Sequence, residues 1–312
     1  MRLEALRGKT VLVTGASGFI GRVLSARLRE IEGLRLVLLS RSGGSFEAPG
    51  AHWIDADLNK LTAGHFDPFG IDIAIHLAAF IPKSVAEADD ADAVYAANIN
   101  GMRRLLDSLP NHLQRFVFIS SVDVYAPDST HCLSERTPTA PATLYAASKL
   151  FGETLTRVVA EQRGWGHVIL RLGHIYGEGE HACAKLIPAT IERLLAGEPP
   201  RVHGSGDELR DFLHVRDAAE AIARAAAHPD PGLGTMNVVS GRSLSVRSLI
   251  HLLAKLCGWN GEIEYVDAPR SGRSFCFNNV RMKTMLGEWD QVDLHTGLLR
   301  EIAERKERRH AA

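Results

Sequence analysis

Short apolar runs alternate with longer helical patterns through the first half of the chain. The runs are rich in Val, Ile, Leu and Phe, and polar positions rarely interrupt them. They lie at residues 10–13, 34–39, 52–54, 71–77, 115–119 and 168–172. Runs of this kind are typical of strands that are covered on both faces. Helical patterns at 18–31, 85–109 and 142–163 separate them, so the sequence predicts a doubly wound α/β fold with a parallel sheet.

The pattern changes after about residue 171, where Pro and Gly become frequent. Helices are predicted at 184–195, 215–227, 245–256 and 292–305, with short strands at 236–239 and 263–266. We therefore expect a large domain at 1–171, to which the chain returns at about 212–240. A smaller, discontinuous C-terminal α/β lobe is expected at about 172–211 and 241–312.

Charge and composition narrow the class of protein. The 312 residues include 36 Lys and Arg against 37 Asp and Glu, a net charge of −1. Proteins that bind nucleic acid through phosphate contacts usually have a basic surface, so we expect no nucleic-acid partner. The sequence has no apolar signal-peptide core at its start and no run of about 20 apolar residues. We therefore expect a cytoplasmic protein with no membrane partner.

Four cysteines lie far apart, at Cys132, Cys183, Cys257 and Cys276. No two of them form a CxxC pair, the usual element of a thiolate zinc site, so no metal is expected. A chain of this length can bury a large core without disulfides. We expect four buried, unpaired thiols in a reducing compartment.

The loop between the first strand and the first helix has a glycine at every third position: Gly15, Gly18 and Gly21. Such a loop allows a tight turn, the approach of a pyrophosphate to the backbone and close packing of the helix on the strand. The free N–H groups at the helix N-terminus then face the phosphates. The sequence predicts a dinucleotide coenzyme here. Further contacts are expected from Ser17, Phe19 and Ile20.

Residues after the second and third strands bear on the kind of coenzyme. An acid after the second strand would bind the ribose 2′-hydroxyl of NAD, but this chain has Ser40 and Arg41 there. A hydroxyl and a guanidinium suit a 2′-phosphate, which favours NADP(H) and leaves NAD(H) as the alternative. Asp57, followed by Leu58, is placed to accept from the adenine amino group. The alternative is that Asp57 caps the next helical turn.

Tyr145 and Lys149 are four residues apart in a predicted helix and therefore share one face. A free phenol, with a pKa of about 10, is a poor base at neutral pH. A neighbouring ammonium favours the phenolate, which would make Tyr145 a proton acceptor and donor for an alcohol/ketone couple. The preceding strand ends in Ser120 and Ser121, and Ser121 is placed to hold the same oxygen.

Motifs along nearly the whole chain resemble the extended short-chain dehydrogenases/reductases, in particular the NAD(P)-dependent epimerases and dehydratases that act on nucleotide sugars. The matching segments are TGASGFIG (14–21), DADL (55–58), HLAA (76–79), NINGMRRLL (98–106), FVFISSVDVYA (116–126), YAASK (145–149), LRLGHIYG (170–177), RDFLHVRD (210–217) and MNVVSG (236–241). The resemblance implies a Rossmann fold for the large domain and a nucleotide-sugar substrate bound by the smaller lobe.

The resemblance also implies a role for each matching residue. Tyr145 would be the general acid/base, Lys149 would bind the nicotinamide ribose and lower the Tyr145 pKa, and Ser121 would orient the reacting oxygen. Arg210 and Arg270 would clamp the substrate diphosphate. The remaining coenzyme contacts would come from Leu77, Ala78, Ala79, Asn98 and Ser120. The helices predicted at 85–109 and 142–163 resemble those that pair two subunits, which predicts a homodimer.

Two residues of the expected substrate site depart from the family pattern. His174 stands where many members have Asn, and we count it as a substrate contact. Asp123, two residues after Ser121, resembles the Glu that helps sugar 4,6-dehydratases to eliminate water, but Asp is shorter and Val122 replaces a polar neighbour. We count Asp123 as a catalytic candidate and dehydration as a minor alternative.

The expected function is hydride transfer at a carbinol or keto carbon of a nucleotide-linked sugar. A 4-epimerase and a 4-ketoreductase both fit: the family favours the first, and an exchangeable NADP(H) suits the second. An NADPH-dependent reductase of a non-sugar carbonyl is the alternative, although Arg210 and Arg270 argue against it because such a substrate has no diphosphate. A non-catalytic NADP(H) sensor is a minor alternative, since a sensor has no need of a catalytic tyrosine.

Overall fold

The computed structural model describes residues 3–41, 48–126, 132–180, 185–267 and 274–311. Two residues singled out in the sequence, Cys183 and Arg270, lie outside these ranges. The strands are β1 (Thr10–Thr14), β2 (Arg35–Ser40), β3 (Ala51–Asp55), β4 (Ile73–His76), β5 (Arg115–Ser121), β6 (Gly166–Leu172), β7 (His174–Tyr176), β8 (Arg201–His203), β9 (Leu209–His214), β10 (Gly234–Val238), β11 (Ser243–Ser245) and β12 (Glu264–Val266). The α-helices are α1 (Phe19–Arg29), α2 (Val85–Ala88), α3 (Ala91–Val94), α4 (Gly101–Ser108), α5 (Leu144–Arg163), α6 (Leu186–Leu195), α7 (Val215–Ala227), α8 (Val246–Cys257), α9 (Val280–Leu286) and α10 (Leu294–Ala311).

Seven strands form one parallel sheet in the order β10-β6-β5-β4-β1-β2-β3, which confirms the predicted doubly wound fold. All five residues of β1 are buried, in accordance with its uninterrupted apolar run. The order of the strands reverses between β1 and β4, and in such sheets ligands bind outside the carboxyl ends of the strands at this point. The crevice expected to bind a ligand therefore lies at the carboxyl end of β1, beside the glycine-rich loop.

The long helix α5 brings one face to the carboxyl ends of β5 and β6. The Thr143 side chain caps its start by accepting from the Ala146 N–H at 3.1 Å, and Gly164 ends it in a left-handed conformation. A buried ion pair fixes the helix against the sheet: the Arg171 Nε and Nη2 atoms donate to Glu153 at 2.8 and 2.7 Å. Ser120 on β5 donates to the same carboxylate at 2.7 Å.

The helical segment predicted at 85–109 is confirmed in kind but is not one regular helix: the structure has α2, a break at residues 89–90, and then α3, a π-helical turn at Tyr95–Asn100 and α4 in direct succession. The Asp90 side chain starts a new helix there because it accepts from the Ala93 N–H at 2.9 Å. Asn98 lies in the π-helical turn, a distortion that is frequent at functional sites. The distortion turns the Asn98 side chain towards the segment after β4.

A smaller lobe carries two short sheets, of order β11-β9-β7 and β12-β8, with α6, α8 and α10 packed into a separate apolar cluster. Strand β10 belongs to the large sheet, within the stretch expected to return at 212–240. Strand β9 spans the expected domain boundary between residues 211 and 212. It pairs with β7 and β11, so all of it belongs to the smaller lobe's sheet. None of the helices in the described ranges is both long and apolar enough to cross a membrane.

The prediction of four unpaired thiols is wrong for Cys132 and Cys276, which form a disulfide. They are 144 residues apart in the sequence. An isolated parallel bridge between Leu133 and Phe277 brings them side by side, an arrangement that their spacing does not reveal. The other two cysteines are Cys257, which is unpaired and partly exposed, and Cys183, which the structure does not describe.

His76 is buried in the centre of the large sheet. Its Nδ1 atom lies 2.7 Å from Thr14 Oγ1, and its ring stacks on Phe118 with 6.0 Å between the ring centroids. Burial, and secondarily the charge of Lys149, lowers the pKa of His76 from 6.5 to about 3. The folded state therefore holds this imidazole neutral at pH values at which the unfolded chain would protonate it.

This buried imidazole predicts a loss of stability in mild acid. Because the folded-state pKa of His76 is below its unfolded value, its contribution is complete above pH 6.5 and declines as the pH falls towards about 3. From pH 7 to pH 5 we expect His76 alone to cost about 2 kcal/mol of unfolding free energy. Urea denaturation at both pH values should show a smaller loss in His76→Gln than in the wild type. The exposed His112→Gln is the matched control, and an equal loss in all three proteins would contradict the assignment.

Candidate functional site

The glycine-rich loop forms a cradle of backbone atoms between β1 and α1. Gly15 has a φ of +69°, and a Cβ on it would lie 2.7 Å from the Ala78 backbone nitrogen. A Cβ on Gly21 would collide with the Gly15 carbonyl oxygen. Gly18 is the N-cap of α1, and no side chain caps it among the described residues. The loop and the first turn of the helix thus fit a pyrophosphate, which backbone N–H groups would bind.

The end of β2 adjoins this loop. Ser40 is buried and donates from its hydroxyl to Ser17 Oγ at 2.9 Å, while Arg41 is exposed. Phe19 and Ile20 form the first turn of α1 and pack against the core of the large domain. The residues predicted to contact the coenzyme thus lie together around the glycine-rich loop. Arg41, at the end of β2, is placed to pair with the 2′-phosphate of a bound NADP(H).

Asp57 caps a short helical turn at Leu58–Lys60, the alternative raised from the sequence. Its Oδ1 atom accepts from the Asn59 backbone N–H at 2.8 Å and from the Asn59 side chain at 3.1 Å. The Leu58 side chain is buried in the core, so only the Leu58 backbone could contact a coenzyme. A contact between Asp57 and adenine stays a prediction.

The segment after β4 forms the opposite wall of the crevice. The Leu77 N–H donates to the Thr14 carbonyl oxygen at 3.2 Å, and Ala78 and Ala79 follow it. Asn98 holds this wall: its Oδ1 accepts from the Phe80 N–H at 2.7 Å, and its Nδ2 donates to the Phe80 carbonyl oxygen at 3.0 Å. Its Nδ2 also donates to Ser148 Oγ on α5 at 3.0 Å. Asn98 thus links the segment after β4 to α5, and its contact with a coenzyme stays a prediction.

Tyr145, Ser121 and Lys149 meet where β5 ends against α5. The Tyr145 phenol shares a hydrogen bond with the Ser121 hydroxyl. Lys149 Nζ donates to the Ile119 carbonyl oxygen at 2.8 Å and lies 5.8 Å from the centre of the Tyr145 ring. The predicted catalytic trio is therefore one cluster, fixed by the docking of α5 on the strand.

The electrostatics of this cluster differ from the prediction for Tyr145. Burial, and then the Asp123 carboxylate, raises the pKa of the phenol, while the hydrogen bond to Ser121 opposes this rise. The prediction that the Lys149 ammonium favours the phenolate is wrong for the chain without a coenzyme, because the pKa of Tyr145 is raised and Lys149 is not among the causes that act on it. Burial also lowers the pKa of Lys149 from 10.5 to about 8, so the amine keeps its proton at neutral pH.

Ser120 has a different role from its neighbour. Its hydroxyl donates to the buried Glu153 carboxylate, so its side chain belongs to the ion pair under the site. Sequence reasoning missed Glu153 and Arg171 as residues that support the site. The available signal was the spacing of four residues from Lys149 to Glu153, which places the acid on the catalytic face of α5.

The expected substrate side of the site faces the smaller lobe. Asp123 Oδ2 accepts from Ser121 Oγ at 3.0 Å. Because Ser121 pairs with Leu172 in the sheet, Asp123 and His174 follow neighbouring strand ends. The His174 ring contacts Phe275 edge-on, with 5.1 Å between the ring centroids. Its Nδ1 atom is buried and has no hydrogen-bond partner among the described residues, which leaves an acceptor or donor for a ligand.

Arg210 lies beside His174. Its guanidinium is 5.4 Å from the centre of the Phe275 ring, and its Nη1 donates to the Leu209 carbonyl oxygen at 2.9 Å. Phe275 was not predicted, since Phe275-Cys276-Phe277 is a short segment that the sequence analysis assigned to no helix or strand. Arg270 lies outside the described residues, so its role stays a prediction. In the described part of the chain no group of His, Cys, Asp or Glu residues is arranged to hold a metal ion.

A sheet of this topology, a glycine cradle and a tyrosine–serine–lysine cluster define a class of coenzyme-dependent oxidoreductases. The sequence profile of the NAD dependent epimerase/dehydratase family matches residues 11–239, and the chain belongs to this family. It is therefore an enzyme of the extended short-chain dehydrogenase/reductase type.

Two relatives and two structures of a third protein match this chain over 75% to 97% of its length. A UDP-glucose 4-epimerase of Mycolicibacterium smegmatis is 31% identical over 93% of this chain and 96% of its own length. A dTDP-glucose 4,6-dehydratase of Streptomyces griseus is 30% identical over 75% and 71%. Among solved structures, MoeE5 in complex with UDP-glucose and NAD has a TM-score of 0.83 and 29% identity, covering 97% of this chain and 100% of that chain. MoeE5 with UDP-glucuronic acid and NAD has a TM-score of 0.85 and 28% identity, covering 96% and 99%.

The position of Arg41 predicts how the chain discriminates between coenzymes. We expect Arg41→Ala to weaken NADPH binding about tenfold or more and NADH binding little, because only NADPH has the 2′-phosphate that a guanidinium would pair with. Dissociation constants from reduced-nicotinamide fluorescence would measure both. Arg29→Ala, at the far end of α1, is the control for a general loss of charge, since Arg29 is exposed. An equal effect of Arg41→Ala on the two coenzymes would show that this residue does not meet the 2′ position.

Proposed function

We propose that this enzyme is a nucleotide-sugar 4-epimerase, which inverts a carbinol centre by removing and returning a hydride. The observation that carries the proposal is the cluster of Tyr145, Ser121 and Lys149 at the end of β5, beside the glycine cradle. The full-length similarity to a UDP-glucose 4-epimerase supports the position of the reacting carbon. Arg210, with Arg270, would hold the diphosphate of the substrate.

The chain's own residues supply the proton chemistry of this reaction. A bound oxidised nicotinamide coenzyme would accept and return the hydride and bring a positively charged ring. Ser121 would hold the 4-hydroxyl of the sugar through the hydrogen bond that it now shares with Tyr145. Tyr145 would take the hydroxyl proton during oxidation and give it back during reduction. Lys149, anchored on the Ile119 carbonyl, would keep a cation behind the phenol.

The sequence of this chain and the similar structures favour different coenzymes. Both MoeE5 complexes contain NAD, so the similarity to them favours NAD(H) and does not support the NADP(H) preference predicted from Ser40 and Arg41. We propose NAD(H) as the coenzyme of the epimerase. A 4-ketoreductase that exchanges NADP(H) is the second candidate, and the exposed Arg41 at the end of β2 is the observation that favours it.

Dehydration is a weaker candidate in this site. The S. griseus relative is a dTDP-glucose 4,6-dehydratase. By resemblance alone, Asp123 stands at the place of the Glu that helps such enzymes to eliminate water. However, the neighbouring residue Val122 is buried and apolar. By resemblance, some dehydratases have a polar residue there beside the acid, and this chain has the acid alone. The non-sugar reductase and the coenzyme sensor remain without an observation in their favour.

The outer face of α5 supports a homodimer. Leu144, Phe151 and Val158 are spaced by seven residues and lie 43%, 46% and 45% exposed, with Tyr95 60% exposed on the neighbouring helix. Apolar side chains at this spacing form one stripe along a helix, and a second copy of the same stripe would bury it. We propose that two subunits pair through this face and that the protein acts in the cytoplasm.

The test of the proposed function is interconversion of sugars. Purified enzyme with UDP-glucose or UDP-galactose should reach the same product ratio from either side without consuming added coenzyme, as shown by anion-exchange chromatography. Tyr145→Phe should lose about 10³-fold or more of this activity yet bind NADH normally, because only the proton relay is removed. Stoichiometric consumption of NADPH with a 4-keto sugar would instead identify the ketoreductase, and near-normal activity in Tyr145→Phe would reject the site.

The dimer face predicts the effect of one exposed substitution. Phe151→Arg should convert a dimer into a monomer by light scattering coupled to size exclusion, because each charge would meet the apolar stripe of the other copy. Leu299→Arg is the matched control, since Leu299 is 43% exposed on a different helix. A wild-type monomer, or a dimer that survives Phe151→Arg, would contradict the proposed interface.

A further inference from the structure

We propose that the disulfide between Cys132 and Cys276 is a thiol–disulfide exchange site, and that its redox state sets the affinity of the enzyme for its nucleotide-sugar substrate. The disulfide takes no part in the proton chemistry at Tyr145. The proposal rests on the proposed function for the identity of the substrate, whereas the link from the disulfide to the substrate side runs through contacts of the described residues.

The disulfide is open to a small dithiol, since Cys132 is exposed and Cys276 is partly exposed. A thiolate of the dithiol would attack one cysteine sulfur, form a mixed disulfide and release the other cysteine as a thiolate. Its second thiol would then break the mixed disulfide. The dithiol becomes a cyclic disulfide, and two electrons and two protons pass to the protein, which gains two thiols. In the cytoplasm, where we propose that the protein acts, disulfides are usually transient or redox-sensing.

The disulfide ties the connection between β5 and α5 to the segment between β12 and α9. Beside it, the Leu133 N–H donates to the Cys276 carbonyl oxygen at 2.7 Å, and the Asn278 N–H donates to the Leu133 carbonyl oxygen at 2.9 Å. A small apolar cluster at this place is made of Val122, Tyr125, Leu133, Val239, Phe275 and Phe277. The cluster is separate from the larger apolar clusters of the molecule, so the covalent bond reinforces a small contact area.

Phe275, the neighbour of Cys276 in the chain, connects the disulfide to the substrate side of the site. Its ring contacts His174 edge-on, with 5.1 Å between the centroids, and lies 5.4 Å from the Arg210 guanidinium. Its N–H donates to the Leu209 carbonyl oxygen at 2.9 Å. The disulfide thus helps to hold Phe275 against the two residues expected to bind the substrate. In the reduced protein only noncovalent contacts hold this segment, so part of the binding free energy must order it.

The catalytic trio is held by contacts that include neither cysteine. Helix α5 docks through the ion pair of Glu153 with Arg171, and Lys149 Nζ donates to the Ile119 carbonyl oxygen. Reduction should therefore weaken the binding of the nucleotide sugar and leave the proton chemistry and the binding of NADH almost unchanged. In steady-state kinetics this is a rise of KM without a comparable fall of kcat.

The experiment compares wild-type enzyme oxidised with hydroxyethyl disulfide and reduced with dithiothreitol, each freed of reagent before assay. Thiol titration of the denatured protein should find two more thiols after reduction. Reduction should raise KM for UDP-glucose about fivefold or more, the size expected when binding must order a short segment, and change kcat by about twofold at most. The double variant Cys132→Ser, Cys276→Ser should have the KM of the reduced wild type under both conditions.

Cys257→Ser is the matched control, because Cys257 is unpaired and partly exposed, and this variant should respond to reduction as the wild type does. An unchanged number of thiols, equal KM values in the two states of the wild type, or a response that persists in the double variant would overturn the proposal. If neither state converts UDP-glucose, the proposed function fails, and calorimetric dissociation constants for UDP-glucose then decide the redox proposal separately. Equal affinities, or no binding in either state, would overturn it, and circular dichroism checks that each variant is folded.

Discussion

The docking of α5 on the sheet is the constraint on which the site depends. Glu153 is completely buried, and its carboxylate receives the Arg171 guanidinium from β6 and the Ser120 hydroxyl from β5. A buried charge without such partners would be very unfavourable, so the helix can lie at only one depth and rotation against the two strands. Four residues earlier, Lys149 then reaches the Ile119 carbonyl, and one further turn earlier the Tyr145 phenol meets Ser121. The catalytic geometry follows from an ion pair that itself touches no reactant.

The same burial that positions these groups sets their charge states. It lowers the pKa of Lys149 to about 8 and raises that of Tyr145, so the protein alone favours a neutral phenol. A phenolate needs more positive charge than the chain provides at this point, and an oxidised nicotinamide ring would bring it. Proton removal would thereby depend on the presence of the coenzyme.

The sequence predicted the parts of the molecule whose signal is local. The large sheet and α5 lie close to their predicted ranges because strands covered on both faces are continuous apolar runs and long helices have a regular period. The short strands β7, β8, β9 and β11 were missed, although β10 and β12, which are no longer than β9, were predicted at 236–239 and 263–266. In segments of three to six residues a strand signal is therefore unreliable. The catalytic trio was found from spacing and a strand end, but the Glu153–Arg171 pair and the Cys132–Cys276 disulfide join residues that only the tertiary fold brings together.

Asp123 opposes the ionisation on which the proposed proton chemistry depends. It accepts a hydrogen bond from Ser121, and its negative charge is the second cause, after burial, of the raised pKa of Tyr145, which by itself weakens the base. An acid here is therefore compatible with catalysis only if positive charge on the opposite side, from Lys149 and a coenzyme, outweighs it.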